Sequence, residues 1–228
     1  MTQYDGKIFG IGFYKTGTTS LFEALRILGY DSVNGDTPGS YPGADDGATL
    51  IRRIDAGDCR LPAFEMFDAF TDNPYFRIWR EIYAMYPQAR YILTAREEES
   101  WIASCTSFYR NRRIRPMRAW MFGPHADPSR DAESRQAWLA AYREHNRAVR
   151  EFFATRPGQF LEFDPTREPG WERLCAFLGA PAPSRPWPHA NPGRRSLPWR
   201  GLWRRLRRAL GLEMRLPDAS TSHDGDSK

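Results

Sequence analysis

The stretch Gly12-Phe13-Tyr14-Lys15-Thr16-Gly17-Thr18-Thr19-Ser20 sets two glycines, a lysine and a run of hydroxyls between an apolar segment and a helical pattern. Such a loop offers backbone N–H groups, hydroxyls and a helix N-terminus to an anion, which is what a phosphate group needs. Glycines alone would serve a tight turn; Lys15 and the threonines shift the reading to an anion site. The lysine is informative because only Lys7, Lys15 and Lys228 occur among 33 basic residues, and arginine does not replace a compact ammonium at a reacting oxygen. Two common phosphate-loop patterns fail. GxGxxG fails because Lys15 stands where the third glycine would follow Gly10 and Gly12. GxxxxGK followed by Ser or Thr fits at Gly12 and Gly17, but Thr18 takes the lysine's place and the lysine stands three positions earlier, at Lys15.

Two further places carry groups that could act with this loop. The apolar run Arg90 to Ala95 ends at Arg96, and Ser104 follows eight residues on; a guanidinium fork and a hydroxyl together suit a phosphate dianion. A metal-nucleotide enzyme would favour an aspartate near such a strand end to organise magnesium. Upstream, Thr71-Asp72-Asn73-Pro74 supplies a carboxylate with two open roles. Asp72 can take a proton from a nucleophile, or it can cap a helix starting near Pro74. Glu65 and Asp68 are alternative bases. His125, His145, His189 and His223 fall elsewhere and read as structural or exposed. Cys59, Cys105 and Cys175 are far apart, odd in number and without metal-ligand spacing, so they read as ordinary buried thiols.

Lys-Thr-Gly-Thr-Thr after an apolar strand resembles the 5′-phosphosulfate loop of the sulfotransferase family, and Arg96 with Ser104 resembles that family's 3′-phosphate clamp. The resemblance runs from residue 7 to about 191 and includes the closing segment Trp171 to Gly179, Pro183 and Trp187 to Asn191. It implies a P-loop NTPase-like sulfotransferase fold and a co-substrate, 3′-phosphoadenosine 5′-phosphosulfate (PAPS), held by Tyr14, Lys15, Thr16, Gly17, Thr18, Thr19, Ser20, Arg96 and Ser104. It also implies direct in-line transfer without a metal, with Lys15 at the bridging oxygen and Thr18 and Thr19 at the 5′-phosphate. Asp72 occupies the place of the catalytic histidine in the Thr-His-x-Pro segment of many cytosolic members and resembles the Thr-Asp-x-Pro of a mainly microbial branch. Two departures stand out. Ser20 replaces a tryptophan that stacks on adenine in some members, and the Arg-Lys-Gly motif that completes the 3′-phosphate site is not evident, leaving Arg194 and Arg195 as substitutes. The rival readings are a small-molecule kinase using magnesium-ATP and a non-catalytic, membrane-associated nucleotide-binding protein.

These groups need a scaffold. Apolar segments at Lys7–Phe13, Leu61–Met66, Arg90–Ala95 and Gln159–Phe163 predict strands. Helical patterns cover Thr18–Leu28, Ala48–Ala56, Pro74–Tyr86, Glu97–Phe108, Asp131–Thr155 and Trp171–Leu178. The alternation predicts an α/β domain, a mostly parallel sheet with helices on both faces, over residues 1–192. Residues 34–46 and 108–125 read as loops that meet the acceptor, whose class stays open among small molecules such as phenols, carbohydrates, lipids and peptides. Between Gly193 and Arg215 stand eight arginines and one glutamate. That excess surpasses the chain's net charge of +5 and leaves the body slightly acidic, which argues against a nucleic-acid partner. Trp199, Leu202, Trp203, Leu206 and Leu210 fall at helical spacing, so 193–215 reads as a basic amphipathic helix. It suits an anionic membrane surface or its own domain equally. Residues 216–228 read as a disordered tail. No signal peptide or membrane span is evident, and the expected place is the cytoplasm or the inner membrane face.

Overall fold

The apolar run after Lys7 becomes the middle strand of a parallel sheet, and that position decides what surrounds the glycine loop. The computed structural model describes residues 3–35, 39–156, 158–167 and 170–188. In chain order these form β1 (Ile8–Gly10), α1 (Thr18–Ile27), β2 (Ser32–Asn34), α2 (Gly47–Asp55), α3 (Ala63–Met66), β3 (Ala69–Thr71), α4 (Trp79–Met85), β4 (Arg90–Thr94), α5 (Glu98–Tyr109), α6 (Pro116–Phe122), α7 (Ala132–Phe153), β5 (Phe160–Phe163) and α8 (Trp171–Leu178). All pairings are parallel, in the order β2-β3-β1-β4-β5. The α/β expectation holds.

Side chains alternate across the strands and divide the core into two layers. Ile8, Ala69, Ile92 and Phe163 pack with Leu21 and Leu25 of α1 and Leu174 and Leu178 of α8. Phe9, Phe70, Tyr91 and Leu93 belong to a larger layer with Trp101, Trp138, Tyr142 and Phe153. Phe9 stacks on Phe70 at 4.8 Å and on Tyr91 at 5.7 Å, a row of rings across three adjacent strands. Burial on both faces explains why the strands read as apolar runs without alternation.

Several expectations need correction. The segment Leu61–Met66 is not a strand: Ala63–Met66 is the short helix α3, and the strand follows at Ala69–Thr71. Strand β2 was not anticipated. Both missed strands have three residues, too few for a periodic signal. The helix expected from Pro74 begins at Trp79. Asn73-Pro74 is cis, and the N–H groups of Arg77 and Ile78 both close on the Pro74 carbonyl in a turn. Residues 108–125 are not all loop, because Pro116 opens α6 at a first-turn position that tolerates its missing N–H. The basic helix 193–215 and the tail 216–228 lie outside the described residues, as do Arg194 and Arg195. Among the described residues no helix is long and apolar enough to cross a membrane.

The loop after β1 runs hard against β4. A Cβ on Gly12 would stand 2.0 Å from Thr94 Oγ1 and 2.5 Å from the Thr94 carbonyl oxygen. Because a strand's backbone is among the blocking atoms, Gly12→Ala is expected to cost about 1–3 kcal/mol by overpacking. The urea midpoint at unchanged m-value measures it; a wild-type midpoint would show that the loop is not pinned there.

Candidate functional site

The chain leaves β1 toward β2 and β3 on one side and later returns to β4 and β5 on the other, so β1 is the switch point of the sheet. Open parallel sheets have a crevice beyond the carboxyl ends of the strands at that point. Three strand ends deliver chemistry there: the glycine loop after β1, Asp72 after β3 and Arg96 after β4.

The loop is held in an uncommon backbone shape. Lys15 has φ 61° and Gly17 φ 92°, both left-handed. Gly17 is the N-cap of α1 and carries no side chain to cap it, so the first-turn N–H groups at Thr18, Thr19 and Ser20 face the loop without a side-chain acceptor from the cap. Gly17 is required twice, since a Cβ would also lie 2.4 Å from Pro165 Cγ. Thr18 is buried; Thr19 and Ser20 are partly exposed.

Two of the expected loop contacts are turned inward. Thr16 is fully buried; its hydroxyl donates to the Phe13 carbonyl at 2.6 Å and bonds Thr94 Oγ1 at 2.7 Å. Tyr14 lies in the core, with its hydroxyl donating to Met121 Sδ at 3.2 Å. Trp101 Nε1 donates to the Tyr14 carbonyl at 2.7 Å. The Thr16 and Tyr14 side chains therefore tie the loop to its scaffold, and only their backbones remain for a ligand.

Lys15 Nζ lies 4.1 Å from the centre of the Phe108 ring, and the Arg112 guanidinium meets the same ring at 4.1 Å. Burial holds the Lys15 ammonium below its ordinary range, Arg96 and Arg112 add repulsion, and Asp72 pulls it back. Arg96 is positioned through its own backbone. Its N–H donates to Tyr142 Oη at 2.8 Å, and that hydroxyl donates to the Arg96 carbonyl at 2.7 Å. The Arg96 side chain donates from Nε to Ser100 Oγ at 2.9 Å. Ser104, partly buried, stands one helical turn beyond Ser100 on the same face of α5.

Asp72 has φ 72°, a left-handed conformation that aspartate and asparagine tolerate better than most residues. Its Oδ1 accepts the Asn73 N–H at 2.8 Å, and Thr18 Oγ1 donates to Oδ2 at 3.3 Å. The residue is half-buried. Burial raises its pKa, and the Asn73 N–H, Thr18 and Lys15 oppose that rise. Asp72 caps no helix, because α4 starts at Trp79 behind Ile78, which offers no side-chain cap. The capping role is thereby removed.

The other candidates fall elsewhere. Glu65 and Asp68 precede β3 and so lie at the opposite end of the sheet from the loop; Asp68 Oδ2 accepts the Asp31 N–H at 3.3 Å. His145 is half-buried and donates from Nε2 to the Ile11 carbonyl at 2.7 Å, with desolvation lowering its pKa to about 4. That is a neutral structural imidazole. Cys105 is buried near Lys15, and burial raises its pKa, so it stays a thiol. Among the described residues no group of three or more His, Cys, Asp or Glu side chains is placed to hold a metal ion. A groove of about 720 Å³ between α5 and α7 touches the site only at Arg96. Ion pairs such as Arg143–Glu98 at 2.7 Å and Arg135–Glu99 at 2.6 Å bridge α5 and α7 along this charged, solvated rift.

Sequence reasoning missed Thr94, Ser100, Phe108 and the grip of Tyr142 on Arg96. Only Ser100 left a readable signal, four residues after Arg96 at the start of a helical pattern.

Comparison with known proteins follows the same outline. A family model described as a sulfotransferase domain matches residues 7–196. Ava biosynthesis cluster protein M of Aspergillus versicolor is 27% identical over 214 residues, with 80% of each chain covered.

The raised pKa of Asp72 makes a signed prediction. The unfolded carboxyl ionises near its ordinary pKa of about 3.9, and the folded one only at higher pH. Wild type therefore loses stability as pH climbs from the unfolded value through the folded one. Asp72→Asn does not titrate and keeps the left-handed backbone. Its melting temperature should gain on wild type as pH rises from 4 to 8 in paired melts. A gap that is constant or shrinks would show that the folded carboxylate is not penalised.

Proposed function

The chain belongs to the sulfotransferase family, and on that premise we propose that it moves a sulfuryl group from PAPS to a hydroxyl or amine of an acceptor at the β1 switch point. One observation carries the reading: an uncapped helix N-terminus and a left-handed Lys15 lie in one crevice with Arg96 from the neighbouring strand and Asp72 from the strand on the other side. The residues present fit such a donor. Arg96 and Arg112 both act on Lys15 as like charges, with Asp72 the opposing carboxylate, and that excess of positive charge favours a polyanion.

In this reading the first-turn N–H groups of α1, with the Thr19 and Ser20 hydroxyls, hold the 5′-phosphate at the positive end of the helix dipole. Arg96 holds the 3′-phosphate with Ser104, one turn from the Ser100 it already touches. Lys15 supplies positive charge where it develops on the leaving oxygen, an interaction stronger in the transition state than before it. Asp72 accepts the acceptor's proton. Thr18 fixes its orientation, and its raised pKa brings the base closer to the working pH, which favours general-base catalysis. The acceptor is a small molecule, a carbohydrate or a lipid, and the arginine-rich stretch 193–215 suits an anionic membrane surface.

Adenosine 3′,5′-bisphosphate should raise the melting temperature in the presence of a chelator, because a ligand of the native state alone stabilises it. A response to magnesium-ATP with none to the bisphosphate would overturn the assignment.

Single substitutions separate the roles. Lys15→Ala should lower turnover about 10²–10³-fold while leaving bisphosphate binding largely intact. Arg96→Ala should weaken that binding by about 1.5–3 kcal/mol. Asp72→Asn, folded, should lose about a hundredfold or more in turnover. Wild-type kinetics and binding in all three would refute the site.

A further inference from the structure

Arg118, in the middle of α6, is a cation that the fold buries and does not neutralise. It is 4% exposed. Its Nη2 donates to the carbonyls of Arg112 at 3.4 Å and Arg113 at 3.0 Å, and its guanidinium lies 4.3 Å from the centre of the Tyr109 ring. Nη1 is buried with no hydrogen-bond partner, and among the described residues Arg118 forms no ion pair. Two carbonyls and a ring satisfy one arm of the fork. A buried guanidinium with a bare arm is costly unless an anion answers it.

Its neighbours place it behind the loop that carries Lys15. The Tyr109 ring is 6.2 Å from the ring of Tyr14, the residue before Lys15. The Tyr14 hydroxyl donates to Met121, one turn after Arg118 on the same face of α6. Asn73, next to Asp72, acts on the Tyr14 phenol, and Asn73 Oδ1 is a second buried atom without a partner. The charges of Asp72 and Arg118 both act on the Tyr14 and Tyr109 phenols. One region thus holds an unmet cationic donor, an unmet neutral acceptor and a carboxylate, set among aromatic rings and a thioether.

We propose that Arg118 Nη1 receives a carboxylate of the acceptor, so that the substrates are ring-bearing hydroxy or amino carboxylic acids whose reacting group sits at Asp72. The assignment rests on the sulfotransferase reading and adds the substrate class. One guanidinium with one free arm matches a monoanion, whereas the donor's 3′-phosphate dianion has Arg96 and the serines of α5. Asn73 Oδ1 takes the second hydrogen where the nucleophile is an amine, whereas a hydroxyl gives its one hydrogen to Asp72.

The test uses the full chain saturated with adenosine 3′,5′-bisphosphate and titrated calorimetrically with 2-, 3- and 4-hydroxybenzoate, each beside the corresponding neutral hydroxybenzamide. At least one acid should bind tenfold or more tighter than its amide. Arg118→Gln should erase that preference, weakening the acid tenfold while the amide and the bisphosphate change less than twofold. Equal binding of every acid and amide, or a preference that survives in Arg118→Gln, overturns the proposal and leaves the sulfotransferase reading standing. Failure of wild type to bind the bisphosphate overturns both. Circular dichroism reports whether Arg118→Gln folds. If it does not, the wild-type comparison decides alone, and a missing acid preference there is fatal.

Discussion

The site depends on one close approach, where the loop after β1 crosses the end of β4. Gly12 passes Thr94 with no room for a Cβ, and the Thr16 hydroxyl closes onto Thr94 Oγ1 at 2.7 Å. Arg96 is two residues past Thr94, and Lys15 is one residue before Thr16. The relative position of two charges far apart in sequence is thus set by one contact between backbone and hydroxyl. A second path reinforces it. Trp101 donates to the Tyr14 carbonyl and stacks on Tyr142 at 4.0 Å, and Tyr142 holds both backbone groups of Arg96. Loop, helix α5, helix α7 and the end of β4 close a ring of contacts around the crevice. A left-handed non-glycine residue such as Lys15 is strained, and strain of this kind persists only where the surroundings over-determine it. This ring over-determines it.

The charges in that frame are arranged at some expense to the fold. Burial pushes the Lys15 ammonium down and the Asp72 carboxyl up, so each is pressed toward its neutral form. Neither group has a partner that would settle it: Lys15 rests on the Phe108 ring, and Asp72 takes one backbone N–H and one hydroxyl. A direct ion pair between them would stabilise the empty protein and occupy both groups. On the proposed function, keeping them apart leaves a cation for a developing negative charge and a base for a proton, the division of labour expected of a group-transfer site.

What could be read from the sequence follows from where the information resides. The glycine loop was legible because its backbone demands particular residues: Gly12 for a close approach and Gly17 for a positive φ. Arg96 was legible because it closely follows a five-residue apolar strand, and α8 agrees with its expected bounds, Trp171–Leu178. Strands β2 and β3 were not legible because three residues carry no period. The capping alternative for Asp72 was not separable in the sequence, because only the fold shows that the turn through Pro74 puts the helix start at Trp79. The grip of Tyr142 on Arg96 could not be found at all. Its partner is main chain 46 positions away, and main chain leaves no letter in a sequence.

On the proposed function, the donor and acceptor sides of the crevice ask different things of the chain. The donor side is made of strand ends, helix amides and glycines, which depend on the fold. The wall bearing Arg118 is made of side chains on α6 and the turn before it, which can vary while the sheet stays intact. The two sides meet at Arg112. Its carbonyl receives Arg118, while its guanidinium shares the Phe108 ring with Lys15. An anion drawn to the free arm of Arg118 acts on a group bonded directly to the backbone of Arg112, and a donor that draws Lys15 off Phe108 changes what the Arg112 guanidinium faces. Coupling of this kind needs only two neighbouring arrangements of one short segment, each favoured by a different ligand. The segment joining α5 to α6 is where such coupling between donor and acceptor would have to pass.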